Sequence, residues 1–318
     1  MNEEKPGWER KALEKLLHAQ VIEQRRTRRW GIFFKLVVFT YLFALLILIR
    51  GGDQLLADLF DDDSEVQEQV AVINIDGLIS STSTANAREI NFLLREAFDD
   101  EETVAVMLRI NSGGGSPVQS GLIHDEILRL REQHEDIPVY AVISDAGASG
   151  AYYIAVAADE IYADRGSIVG SIGVRLDSFG VVELMERWGI ERRLFTSGEN
   201  KALLDPFTPI QTSDITHVEA VIGQIHDQFV QVVQNGRGER LNGDKSLFSG
   251  LIWTGAEALE LGLIDGLGDD RFVAREIIGV DRLVVFRRPT SFWDELMDDL
   301  FTIAAKRIAN WQTLPQWR

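Results

Sequence analysis

Residues 30–49, WGIFFKLVVFTYLFALLILI, carry a single charged side chain, Lys35, and this run constrains the chain more than any other feature. About 20 apolar residues at about 1.5 Å each span the hydrocarbon core of a bilayer, so the run predicts a transmembrane helix. It is too long, and lies too far from the N-terminus, for a cleaved leader, and RGGDQLLADLF behind it offers a poor cleavage site. Arg25, Arg26, Arg28 and Arg29 precede the run, whereas Arg50 and then Asp53, Asp58, Asp61, Asp62 and Asp63 follow it. Positive charge stays on the cytoplasmic side, so residues 1–29 are expected inside and everything after about residue 50 outside.

This topology divides the remainder. Residues 1–29 read as a basic, amphipathic segment at the inner surface, and the acidic residues 50–68 as a tether. A globular domain is expected over 69–288, followed by an amphipathic helix over 289–318. Within the domain, QVAVINI, VAVMLRI, VYAVIS, EIYAD and ERRLFT read as strands, separated by helical segments at 86–98, 117–133, 149–158 and 179–188. A long helix follows at 211–235. Apolar strands alternating with helices predict an α/β domain whose mostly parallel sheet is covered on both faces.

Two stretches could carry chemistry. In DAGASGAYYIA, Ser149 stands between small residues where a strand meets a helix, the position of either a helix cap or an exposed nucleophile. In RINSGGGSP, three consecutive glycines let the backbone turn N–H groups toward an anion, or simply make a turn. The loop lacks both the Gly-Lys-Ser/Thr ending of a phosphate loop and the spacing of a dinucleotide fingerprint. A formal charge of −18 disfavours nucleic acid as a partner, and the absence of cysteine excludes a disulfide framework and thiolate chemistry.

A serine nucleophile needs a base. His124, His134, His217 and His226 all fall in helical segments at unremarkable spacings. Lys201, in FTSGENKALLDPF, is the other candidate, and lysine serves as a base only when desolvation disfavours its ammonium. Spacing alone also allows Lys201 to be an ordinary surface lysine.

Together RINSGGGSP, DAGASGAYYIA, GSIVGSIGV, SGENKALLDPF and WTGAEALELGLIDGLGD, in this order over about residues 70–270, resemble the signal peptide peptidase A (protease IV) family of membrane-bound Ser/Lys peptidases, in its short single-half form. The resemblance implies a crotonase/Clp-protease-like fold of repeated β-β-α units. It implies Ser149 as nucleophile, Lys201 as general base, Ser171 of GSIGV as the residue orienting that lysine, and the Gly114 N–H as oxyanion donor. The N–H of Gly150, next after the nucleophile, is a chemical candidate for a second donor. Gly113 stands where the family usually has proline.

No metal or cofactor is implied. Long members supply serine and lysine from two homologous halves, so the single half implies a homo-oligomer in which neighbouring protomers share each site. The expected protein is therefore an endopeptidase of a bacterial inner membrane, its catalytic domain periplasmic, acting on cleaved signal peptides and other hydrophobic peptides. A Ser-His esterase using His217 or His226 is the alternative enzyme, and an inactive membrane scaffold the alternative outside enzymology.

Overall fold

The computed structural model describes residue 26 and residues 28–44, 67–243 and 245–288. The chain divides into two compact units, Met1–Glu65 and Val66–Arg318. In the first, residues 28–44 are helical and their apolar side chains are exposed. Among the described residues no helix is long and apolar enough to cross a membrane, and residues 45–49 of the apolar run lie outside them. So do the expected N-terminal segment over 1–25, the tether up to residue 66 and the C-terminal helix over 289–318.

The second unit is an α/β domain. Strands β1 (Gln69–Asp76), β2 (Thr103–Ser112) and β3 (Val139–Ala148) alternate with helices α1 (Ala87–Asp99), α2 (Pro117–Gln133) and α3 (Gly150–Ala155). Then come β4 (Glu160–Ala163), β5 (Ile168–Gly170), α4 (Val182–Arg187), the long α5 (Thr212–Arg237), β6 (Ile252–Thr254), α6 (Gly255–Glu260), β7 (Gly266–Leu267) and β8 (Leu283–Val285). The sheet runs β6-β5-β3-β2-β1-β8, with β4 pairing β3 and β7. All pairs are parallel except β5 with β6.

Period-two alternation along β1 feeds two cores. Ala71, Ile73 and Ile75 join Leu108, Ile110, Ile123, Ile127 and Tyr152 on one face, while Val70 and Val72 join Met107, Tyr162 and Val273 on the other. Burial on both faces explains why these strands read as continuous apolar runs. The helix starts follow local chemistry: the Asn86 side chain accepts the Glu89 N–H at 2.9 Å, and Ser116 caps α2 ahead of Pro117.

Three expectations need correction. Residues 191–196, ERRLFT, form no strand: the segment is irregular and exposed, and among the described residues no strand offers it a ladder. The helix expected at 179–188 is confined to Val182–Arg187, and that expected at 149–158 to Gly150–Ala155. Around α4, Phe179 is 81% exposed, Trp188 76% and Phe195 91%.

The lower end of the domain is fixed by a buried ion pair. Arg237, 1% exposed, donates to Asp265 at 2.6 and 3.0 Å and to the Gly262 carbonyl at 2.9 Å. Asp265 also accepts the Ile161 N–H at 2.7 Å. Burial raises the Asp265 pKa, but Arg237 and the Ile161 N–H outweigh it and hold the carboxyl below its ordinary range. The stability this carboxylate contributes is thus present above about pH 4 and is lost as pH falls through its lowered pKa. Asp265→Ala leaves Arg237 buried without a counter-ion and is expected to cost about 3–5 kcal/mol, read as a lowered midpoint in denaturant unfolding of the purified chain.

Candidate active site

The junction of β3 and α3 places Ser149 in an unusual backbone conformation. Its φ is +54° and ψ −125°, a conformation that a residue with a Cβ adopts at a cost of about 1–3 kcal/mol. The side chain makes no capping hydrogen bond to the helix, so the hydroxyl is not spent on the backbone.

Pairing between β3 and β5 sets the geometry around it. Ala148 lies opposite Gly170, and the Ser149 N–H donates to the Gly170 carbonyl at 2.8 Å. The next residue on the partner side is Ser171, also at positive φ (+52°) and anchored by its N–H to the Leu251 carbonyl at 2.7 Å. Parallel register therefore delivers Ser149 and Ser171 to one cleft of about 1200 Å³. Its walls include Leu78, the glycine loop, Tyr153, and Ile222, His226 and Phe229 of α5.

Gly114 and Gly150 bring backbone donors to the serine. Gly114 has φ +98°, and a Cβ there would stand 2.7 Å from both the Gly150 nitrogen and Ser149 Cβ, so the loop passes directly beside Ser149. Among the described residues no backbone or side-chain acceptor pairs with the Gly150 N–H, leaving it available to a substrate oxygen. The Gly114 N–H is engaged: it donates to Ser112 Oγ at 3.1 Å, and Ser112 in turn donates to the Gly77 carbonyl at 2.5 Å. Ser112, 2% exposed, thus ties the glycine loop to the end of β1. Its role was not apparent in the sequence, although it sits inside RINSGGGSP. Gly114→Ala combines an unfavourable φ with a backbone clash and is expected to lower any activity of this site at least about 100-fold, comparable to loss of an oxyanion donor, in steady-state assays of the folded variant.

Lys201 does not join this cleft within the chain. It lies in the turn-rich stretch after residue 197, its N–H bonded to the Gly198 carbonyl at 3.2 Å, and it is exposed. Within this chain Lys201 is therefore solvent-exposed and apart from Ser149. Of the histidines, His124 is buried with Nδ1 3.0 Å from Asp125, His134 stacks near Phe98, and His217 is exposed. His226 lines the Ser149 cleft, yet its Nε2 is buried without a hydrogen-bond partner, so it is not paired with the serine. Among the described residues no group of three or more His, Asp or Glu side chains is placed to hold a metal ion.

Comparison with known proteins adds the lineage. The model of peptidase family S49 matches residues 131–277. A putative protease of Synechocystis is 32% identical over 221 residues, which cover 69% of this chain and 77% of that protein. A putative signal peptide peptidase SppA of Enterococcus faecium is 28% identical, covering 70% of this chain and 66% of the relative. A Brucella abortus protein named Na(+)/H(+) antiporter NhaA is 43% identical over 219 residues, and there the chain spans only 30% of the relative's length against 67% of its own. Among solved structures, a variant of a membrane-bound stomatin-specific protease aligns with a TM-score of 0.44 at 15% identity, covering 70% of this chain and 99% of that one. The family model takes in Ser149, Ser171 and Lys201, and the chain belongs to peptidase family S49.

Proposed function

We propose that the protein is a membrane-anchored serine endopeptidase working through a Ser/Lys dyad, with Ser149 as nucleophile and Lys201 of a neighbouring protomer as base. The observation that carries this reading is the strained, uncapped Ser149 beside the unpaired Gly150 N–H in an open cleft. Ser149 Oγ attacks the scissile carbonyl as its proton passes to neutral Lys201 Nζ. The developing oxyanion takes the Gly150 N–H and, once it turns from Ser112 Oγ, the Gly114 N–H. Lys201 then protonates the leaving amine, and water enters by the same route to hydrolyse the acyl-enzyme. Ser171 lines the same cleft, and in this reading it orients the incoming lysine.

Two features favour sharing between protomers. Lys201 is exposed and outside the cleft of its own chain, and the uncovered aromatics Phe179, Trp188 and Phe195 precede it in the sequence. A head-to-tail ring would cover those aromatics and desolvate the lysine in one step. The crotonase/Clp-like arrangement belongs to the same reading. The apolar run at 30–49 and the arginines before it support an inner-membrane anchor with the domain in the periplasm, and the names of relatives such as the E. faecium signal peptide peptidase point to released signal peptides and similar hydrophobic peptides as substrates. The antiporter name of the Brucella relative is not transferred, since the match spans 30% of that protein. Treating the full-length protein in detergent with a peptidyl phosphonate and mapping the adduct tests the assignment: modification of Ser149 supports it, and modification elsewhere, or none, contradicts it.

A further inference from the structure

The cleft beside Ser149 holds two polar atoms that the proposed chemistry does not use. Ser120 Oγ, on a fully buried residue of α2, and His226 Nε2, on α5, are both buried, both belong to residues lining the cleft, and neither has a hydrogen-bond partner. Ser120 sits directly behind the nucleophile: its hydroxyl blocks the space a Cβ at Gly150 would need. The same cleft also has an apolar part. Ile222, His226 and Phe229 share one face of α5 at helical spacing, and the Tyr153 ring packs 5.1 Å from Phe229 and 5.2 Å from His124.

An orphaned buried polar atom costs about 1–3 kcal/mol, and a fold keeps two in one binding cleft at little cost only if an occupant satisfies them. Resting on the peptidase reading above, we propose that this part of the cleft is a specificity pocket for a substrate side chain with an apolar body and a hydrogen-bonding end, such as Tyr, Gln or Thr. Tyr153 and Phe229 hold the body; Ser120 Oγ and His226 Nε2 meet the polar end. A purely apolar side chain of the same size fills the volume but leaves both atoms unpaired, and a site built to hydrogen-bond discriminates strongly against such an analogue.

The test uses the full-length protein in detergent and internally quenched peptides bearing matched pairs, Tyr/Phe, Gln/Met and Thr/Val, at each of the three positions before the cleaved bond. At one position the hydrogen-bonding member should be preferred at least tenfold in kcat/KM. That ratio should fall to within about threefold in His226→Leu or Ser120→Ala and persist in His226→Gln. A ratio is insensitive to the fraction of active protein, and Ser120→Ala carries the test if His226→Leu does not fold. Equal or apolar preference at every position, or an unchanged ratio in the folded variants, overturns the pocket assignment. If the wild type cleaves none of the peptides, the peptidase reading itself falls, and the pocket with it.

Discussion

Ser149→Ala and Lys201→Ala are each expected to reduce peptide hydrolysis by about 10⁴-fold or more while leaving the domain folded, as judged by an unchanged unfolding midpoint. The two losses should not add, because nucleophile and base act in one proton transfer; the double variant should be no worse than either single one. Stability should hold or improve slightly in Ser149→Ala. Its hydroxyl caps nothing, so nothing structural is removed, whereas Ser149→Gly should stabilise by relieving the +54° φ. Lys201 is exposed in its own chain, so truncating it opens no cavity. A Lys201→Ala enzyme that keeps substantial activity would remove lysine from the mechanism. If His226→Leu were then inactive towards every peptide, the serine-histidine alternative would stand in its place.

Much of the domain could be read from the residues because its strands are buried on both faces. The strands at 69–76, 103–112 and 139–148 each contain an unbroken apolar stretch of four or five residues, and α1, α2 and α5 carry apolar residues at helical spacing between polar ones. The segment from about residue 174 to 211 misled for the opposite reason. ERRLFT has the composition of a strand, but a strand needs an edge to pair with, and among the described residues none pairs with it; pairing is a property of the neighbourhood and not of the six residues. Strands β5 to β8 were missed because two or three residues are too few to show a period.

The site divides in the same way. Ser149, Gly114 and Gly150 announce themselves through small neighbours, since close approach of backbone to substrate excludes bulk. Ser171 reaches the cleft through the register of β3 with β5, which extends a motif match into a spatial one. Ser112, Ser120 and His226 carry no such mark. Their importance lies in what surrounds them after folding: a shared hydroxyl between Gly114 and Gly77, and two buried atoms with no partner. A serine on a helix looks the same in sequence whether its hydroxyl faces water or a substrate pocket.

The largest effect in the opposite direction is a gain. Neither Ser149→Ala nor Lys201→Ala protein should hydrolyse peptides alone, but mixing them should restore activity if each site takes its serine from one protomer and its lysine from the next. In a randomly mixed 1:1 ring, an interface is intact when a Lys201→Ala chain presents its serine to a Ser149→Ala chain, which happens at about one interface in four for a head-to-tail arrangement. The measurement is the kcat of co-purified mixed oligomers, with the two chains carrying different tags so that mixing is verified. Recovery of about a quarter of wild-type activity is the result expected of a shared site. Verified mixed oligomers with no activity above that of either variant would place serine and lysine within one protomer and contradict the assembly on which the mechanism rests.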